Sequence, residues 1–217
     1  MPATSIVAAA ERTGLIDEIG AWVLERSAAD RSQWLDLHPD ASIELSVNVS
    51  PRQLMTPGYV GGVTSALAAS SLDPGALILE VTETVFMEDS QRAAAVLTDL
   101  RALGIRLALD DFGTGYSSLS YLQRLPVDIV KIDRHFIGGV ELSGKSTAIV
   151  EAVTTMAHVL GLAVTAEGVE TSSERDVVSA VGCDLAQGYY YARPMAASAI
   201  KAHLGAVAAG VAVRLPA

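Results

Sequence analysis

From Ile43 to Val49 the chain alternates: Ile43, Leu45, Val47 and Val49 are apolar, and Glu44, Ser46 and Asn48 between them are polar. This is the period-two signature of a half-buried strand. Four more β-rich runs follow at 77–83, 106–111, 129–133 and 162–167, with a shorter sixth at 184–187. Between them the apolar spacing becomes helical. The N-terminal part reads as two helices, over 5–10 and 16–35, with Gly14 closing the first and His38-Pro39-Asp40 stopping the second. Ile16, Ile19, Trp22, Val23 and Leu24 lie close to one face of the second helix. A helix over 91–103 is preceded by Asp89-Ser90 and ended by Gly104, and one over 146–160 ends at Gly161. Thr171 and Glu174 have capping-box spacing before a helix that ends at Gly182.

Strands alternating with helices every 20–35 residues or so imply βα units and a mainly parallel sheet, hence an α/β fold. The polar residues fall at the strand ends: Asn48, then Glu80 and Glu83, Asp110 and Asp111, Lys131 and Asp133, Glu167, and Gln187. In a (β/α)8 barrel the active site is built at that end of each strand. Any one of these residues alone reads as a capping or turn group. Six strands delivering ionisable or amide groups to one rim point to a site instead. An eight-unit barrel takes about 250 residues, and about six of its eight strands are visible here. The expected architecture is therefore a TIM-like (β/α) barrel, incomplete at its N-terminal side by two strands, with the whole chain, 1–217, forming one domain.

Composition narrows the function. The 217 residues carry a formal charge of −10, half are hydrophobic and 18% are charged. Wholesale disorder is excluded, and an acidic chain without basic stripes is not a nucleic-acid binder. Cys183 is the only cysteine, which leaves neither a disulfide framework nor a cysteine-rich zinc site. The first residues lack a basic leader region. The uncharged stretch 53–72 is interrupted by Pro57, Gly58, Gly61 and Gly62, and the apolar run 152–166 is shorter than the ~20 residues a membrane span needs. The cytoplasm is the expected location, with no membrane segment.

The chemistry concentrates in Asp110-Asp111-Phe112-Gly113-Thr114-Gly115-Tyr116-Ser117-Ser118. Adjacent carboxylates at a strand end, ahead of a glycine-rich turn, suit one or two hard divalent cations, which prefer oxygen ligands. Asn48, Glu80, Glu167 and Gln187 would complete an all-oxygen set with Lys131 nearby, the components of a two-metal phosphodiester site. Asp111-Phe112-Gly113 also imitates a kinase magnesium motif, but the chain has no catalytic-loop His-Arg-Asp and no glycine-rich loop at its start. No P-loop or nucleophile elbow occurs either.

These segments together resemble the EAL domains, the bacterial cyclic di-GMP phosphodiesterases. The resemblance is carried by Ser46-Val47-Asn48-Val49-Ser50, Glu80-Val81-Thr82-Glu83, the Asp110-Asp111 loop through Leu119, and Lys131-Ile132-Asp133. Glu167-Gly168-Val169-Glu170, Gln187-Gly188-Tyr189 and Arg193-Pro194 complete it. It extends over about 5–204 and leaves 205–217 as a tail. It implies hydrolysis of cyclic di-GMP to linear pGpG with two ions, Mg²⁺ or Mn²⁺. Asn48, Glu80, Asp110, Asp111, Glu167 and Gln187 would serve the metals, and Lys131, Glu167 and Asp111 the chemistry. Tyr189, Arg193 and Pro194 would contact the substrate. Glu83 would brace the loop after Asp111, and Glu170 would brace the site from its own loop. Family members often pair through the region after the Asp-Asp loop, here 117–124, so a homodimer, or a partner chain covering the open barrel edge, is expected.

One feature departs from the family. No Glu-Ala-Leu tripeptide occurs in the sequence. In the family that strand supplies a metal-binding glutamate and a ligand-contacting arginine, and its expected place precedes the first residues here. The reading therefore carries an alternative, a catalytically inactive cyclic di-GMP-binding or protein-interaction module. Cys183, Trp22 and Trp34 read as packing residues. His158 reads as a satisfied core or rim group, and His38, His135, His158 and His203 lack metal spacing. The stretch after Leu204 reads equally as a helix, a frayed end or an interaction segment.

Overall fold

The computed structural model describes residues 3–113 and 122–208. In chain order the elements are α1 (Ala3–Thr13), α2 (Ile16–Leu37), β1 (Leu45–Asn48), α3 (Pro51–Leu54), α4 (Tyr59–Ser70), β2 (Leu77–Thr82), α5 (Val85–Glu88), α6 (Ser90–Ala102) and β3 (Arg106–Phe112). They continue as β4 (Ile129–Ile132), α7 (Arg134–Ile137), α8 (Gly144–Val159), β5 (Ala163–Glu167), α9 (Ser172–Ala180), β6 (Leu185–Gln187) and α10 (Ala197–Ala208). The chain divides into two compact units, one up to Arg106 plus the segment from Met195, the other Leu107 to Pro194.

In the first unit β1 and β2 pair in parallel, with Leu45 opposite Leu77 and Asn48 opposite Glu80. The face that α2 buries differs from the expected one. Ile16, Leu24 and Ala28 are buried, and a Cβ on Gly20 would meet the buried Gln53 side chain at 1.6 Å. The inward stripe thus runs at four-residue spacing through Ile16, Gly20, Leu24 and Ala28, and a side chain at Gly20 would have to displace the Gln53 amide that crosses there. Trp22, about 200° around the helix from Gly20, is 63% exposed and not a packing residue. Helix α4 has no counterpart in the sequence reading, because Gly61 and Gly62 obscure its pattern. It forms by burying Val63, Ala66 and Leu67, spaced three and four apart on one face. The terminal helix begins at Ala197, well before Leu204.

The second unit is a parallel sheet in the order β3-β4-β5-β6. Its core joins Ile132, Val164 and Ala166 of the strands to Ile137, Val150, Ala157 and Val178 of the helices. Cys183 packs against this core, as expected for a small apolar residue. Strand β4 ends at Ile132, so Asp133 caps α7 and accepts from the His135 N–H at 2.8 Å.

The amino ends of the strands are tied by a repeated device. The Leu107 N–H donates to the Asp128 carboxylate at 2.9 Å while the Asp128 N–H donates back to the Leu107 carbonyl at 2.8 Å. Asp184 treats Val164 in the same way, at 2.7 and 3.0 Å. Each aspartate sits just before its own strand and closes a two-bond ring on the neighbouring one. Leu107 and Val164 are fully buried, so water cannot replace these acceptors. His158 also bonds Asp184, at 2.9 Å, from the exposed rim of α8.

Asp128→Ala should therefore lower the unfolding free energy by about 1–3 kcal/mol, the cost of orphaning a buried N–H, read by urea denaturation. Asp184 carries a pH dependence. Burial pushes its carboxyl up, but the bonds from His158 and the Val164 N–H outweigh that, and its pKa lies below the ordinary value. A lowered carboxylate contributes stability above its unfolded pKa of about 3.9. That contribution should be lost as pH falls through the lower folded value. In Asp184→Asn the stability–pH curve should be flatter in this acid window.

Candidate functional site

At the carboxyl ends of the second unit's strands the ladder is irregular. Leu109 pairs with Val130 and Phe112 with Ile132, so Asp110 and Asp111 together stand opposite the single residue Lys131. This is a β-bulge, which re-aims side chains at a strand end. Asp111 takes the left-handed conformation, φ +54°, a region aspartate enters more readily than most residues. Gly113 follows at φ +95°, and a Cβ there would lie 2.9 Å from the Phe136 ring. The bulge brings two carboxylates to one place without lengthening the partner strand.

Lys131 is at the centre. Its side chain is 5% exposed, and its Nζ lies 3.2 Å from Asp110 Oδ1 and 2.6 Å from Glu167 Oε1. An ammonium is buried only when paired, and here the strands on either side of β4 supply the partners. Asp110, Asp111 and Glu167 each offer a carboxylate oxygen within 4.8 Å of the others. Against the one ammonium these three carboxylates leave two negative charges, the complement of one divalent cation. The Asp111 pKa is raised, first by burial and then by Asp110 and Asp133, with Lys131 opposing. Such crowding of carboxylates is relieved by a cation. An all-oxygen donor set suits Mg²⁺, Mn²⁺ or Ca²⁺ and not a soft metal.

Gln187 ends β6 directly opposite Glu167 in register. Beyond it, the Arg193 guanidinium stacks on the Tyr189 ring at 4.6 Å, and Pro194 is exposed beside them. Tyr189, Tyr190 and Tyr191 are all exposed. In the first unit Asn48 ends β1 opposite Glu80, which lies within β2 two residues before its end, with Glu80 buried and its carbonyl accepting from the Val49 N–H at 2.8 Å. The chain leaves β1 through a capping box of Ser50 and Gln53 at the start of α3, and the Ser50 hydroxyl donates to Glu11 at 2.6 Å. Glu83 lies just past β2. The loop it is expected to brace, 114–121, lies outside the described residues, as does most of the 117–124 pairing segment.

The family model for the EAL domain matches residues 1–194. The chain belongs to the EAL domain family. It is 43% identical over 194 residues to the bifunctional diguanylate cyclase/cyclic di-GMP phosphodiesterase MucR of Pseudomonas aeruginosa, covering 89% of this chain and 28% of that protein. The chain spans only about a quarter to a third of the length of the curated relatives it matches. The solved MucR phosphodiesterase in complex with c-di-GMP superposes with a TM-score of 0.85 at 40% identity, over 92% of this chain and 81% of that one. A manganese/cyclic di-GMP complex of Klebsiella pneumoniae BlrP1 matches at TM-score 0.74 and 34% identity, over 88% and 47% of the two chains. The TIM-like α/β fold read from the sequence is the fold of these EAL domains.

Two residues outside the expected site set stand against it in this EAL domain, Asp133 at the end of the fourth strand run and Glu174 of the capping box. Asp133 stands beside Asp111 and helps to raise its pKa, and Glu174 is buried at the base of the loop after Glu167. The local signal for Asp133 is its place between a strand and Arg134-His135-Phe136-Ile137, a helix N-cap position. Around Glu170 the bracing is done by the Glu170 backbone N–H, which donates to Glu174 at 2.7 Å, while the Glu170 side chain is exposed.

Lys131→Met should leave Asp110 and Glu167 facing each other without their buried cation. The metal-free domain should lose on the order of 3 kcal/mol in urea denaturation at neutral pH. Millimolar Mn²⁺ should restore more stability to this variant than it adds to the unaltered domain.

Proposed function

We propose that this EAL domain hydrolyses cyclic di-GMP to linear pGpG with two divalent cations, Mg²⁺ or Mn²⁺. The observation that carries the proposal is the buried Lys131 ammonium between Asp110 and Glu167, with the Asp111 carboxylate beside them. Phosphodiester hydrolysis needs oxygen ligands for cations, a positive group beside the phosphoryl oxygens and a base for water. The relatives' complexes with cyclic di-GMP, one of them with manganese, support the substrate and the metal class.

Asn48 and Glu80 in the first unit, and Asp110, Asp111, Glu167 and Gln187 in the second, are assigned to metal. Bound divalent cations polarise the phosphoryl group and make water a stronger nucleophile. Lys131 Nζ neutralises charge that develops on the phosphoryl oxygens, and Glu167, with Asp111, orients water and accepts its proton. Water oxygen bonds to phosphorus, the bond from phosphorus to the ribose O3′ breaks, and the leaving oxygen takes a proton. Tyr189, Arg193 and Pro194 offer aromatic, cationic and apolar faces to a guanine. Glu83 is assigned to bracing the loop after Asp111, and Glu170 to bracing its own loop through its backbone N–H, which donates to Glu174.

We read residues 1–217 as one domain that pairs with a second copy or a partner chain. Light scattering and a single cooperative thermal transition test these two statements. The cytoplasm is the proposed location. Its support is that no helix among the described residues is long and apolar enough to cross a membrane, together with the single cysteine.

The deciding experiment is conversion of cyclic di-GMP to pGpG by the purified chain in millimolar Mn²⁺, followed chromatographically. Asp110→Ala and Glu80→Ala should each reduce turnover more than about 100-fold, since losing a residue that only orients a metal ligand already costs about 10–100-fold. Turnover that survives in both variants would overturn the assignment. Binding of cyclic di-GMP without turnover would leave the domain a receptor.

A further inference from the structure

The loop after Glu167 is attached to its surroundings at close range. Gly168 is left-handed, φ +71°, and a Cβ on it would lie 2.3 Å from Arg134 Cβ. Val169 is fully buried; its N–H donates to the Gln187 carbonyl at 3.0 Å, and its carbonyl accepts from Tyr190 at 2.9 Å. A Cβ on Gly188 would meet that same Val169 carbonyl at 2.1 Å. The segment carrying Glu167 is thus locked to the segment carrying Gln187 and the exposed tyrosines.

Beneath this junction Glu174 is 5% exposed. One oxygen, Oε2, accepts from Glu170 at 2.7 Å and Thr171 at 3.0 Å. The other, Oε1, accepts from the Gly139 N–H at 3.0 Å, from the turn after α7. Burial pushes the carboxyl up, but these three N–H groups and the Thr171 hydroxyl outweigh it, and its pKa lies below the ordinary value.

A helix cap alone does not need this arrangement. The capping box with Thr171 uses a single side-chain oxygen, and glutamine serves in that role as well as glutamate. The second oxygen reaches an N–H 35 residues away in sequence, and only a carboxylate offers acceptors on both sides. We propose that Glu174 is a positioning residue that holds the Glu167–Thr171 loop against the turn at Gly139. It thereby sets where Glu167, Gln187 and the Tyr189–Arg193 rim stand relative to one another. Its bearing on cyclic di-GMP rests on the function proposed above.

Glu174→Gln separates the two roles. Its carbonyl oxygen keeps the capping box, so the helix and the fold are retained, while its amide group presents a donor to Gly139. Amide hydrogen exchange is the first measurement. Gly139, Val169 and Tyr190 should exchange about tenfold faster in the variant, the equivalent of one hydrogen bond, while amides within α9 and β4 are unchanged. Affinity for cyclic di-GMP should fall about tenfold, at the low end of the cost of losing a residue that orients a ligand. Exchange at Val169 and Tyr190 equal to that of the unaltered domain would overturn the proposal and leave Glu174 a helix cap. If the unaltered domain binds no cyclic di-GMP, the proposed function fails, and the exchange measurement still decides the role of Glu174.

Discussion

A buried ammonium constrains the second unit more than any other group. Taking a lysine out of water costs several kcal/mol unless carboxylates surround it. Lys131, in the middle of the all-buried strand β4, can find them only on β3 and β5. The register must place Asp110 on one side and Glu167 on the other, and the bulge at Asp110–Asp111 meets that demand while adding a second carboxylate. The site is therefore built from strand ends, whose positions are set by ladder hydrogen bonds. Loops contribute the outer rim.

The two ends of this sheet use carboxylates differently. At the amino ends Asp128 and Asp184 each accept a buried strand N–H with a carboxylate oxygen and donate their own backbone N–H to that residue's carbonyl, which fixes neighbouring strands against sliding. At the carboxyl ends Asp110, Asp111 and Glu167 are crowded with one lysine and leave negative charge over. In a barrel-type fold, stability and function separate to opposite ends of the strands, and here the strand-tying aspartates and the candidate site stand at opposite ends of the same four strands. Between the ends, packing of Ile132, Val164 and Ala166 against α7, α8 and α9 holds the sheet flat to its helices.

The excess acid at the site also accounts for how an acidic chain could handle an anionic ligand. With a formal charge of −10, the protein offers no broad positive field to a phosphodiester. Under the proposed function, positive charge would come locally, from Lys131, from Arg193 stacked on Tyr189, and from cations held by the carboxylates. Membership of the EAL family, and the manganese in the BlrP1 complex, are consistent with that physical requirement.

The strand pattern and the residues at strand ends were legible in the sequence because a period of two and a sharp change to polar residues are local signals. Asn48, Glu80, Asp110, Lys131, Glu167 and Gln187 could be named without coordinates, and so could the family. Local signals failed wherever a neighbour distant in sequence decided the outcome. Helix α4 is hidden by Gly61 and Gly62 until the burial of Val63, Ala66 and Leu67 makes it a helix. Trp22 looked like core until Gly20, pressed against Gln53, showed which face of α2 is buried. Thr171 and Glu174 spell a capping box in sequence, yet nothing near them announces Gly139. The sequence alone determined which groups stand at the strand ends. Tertiary structure alone decided which of them share a proton-scale distance, because register, bulges and buried hydrogen bonds are settled between segments far apart in the chain.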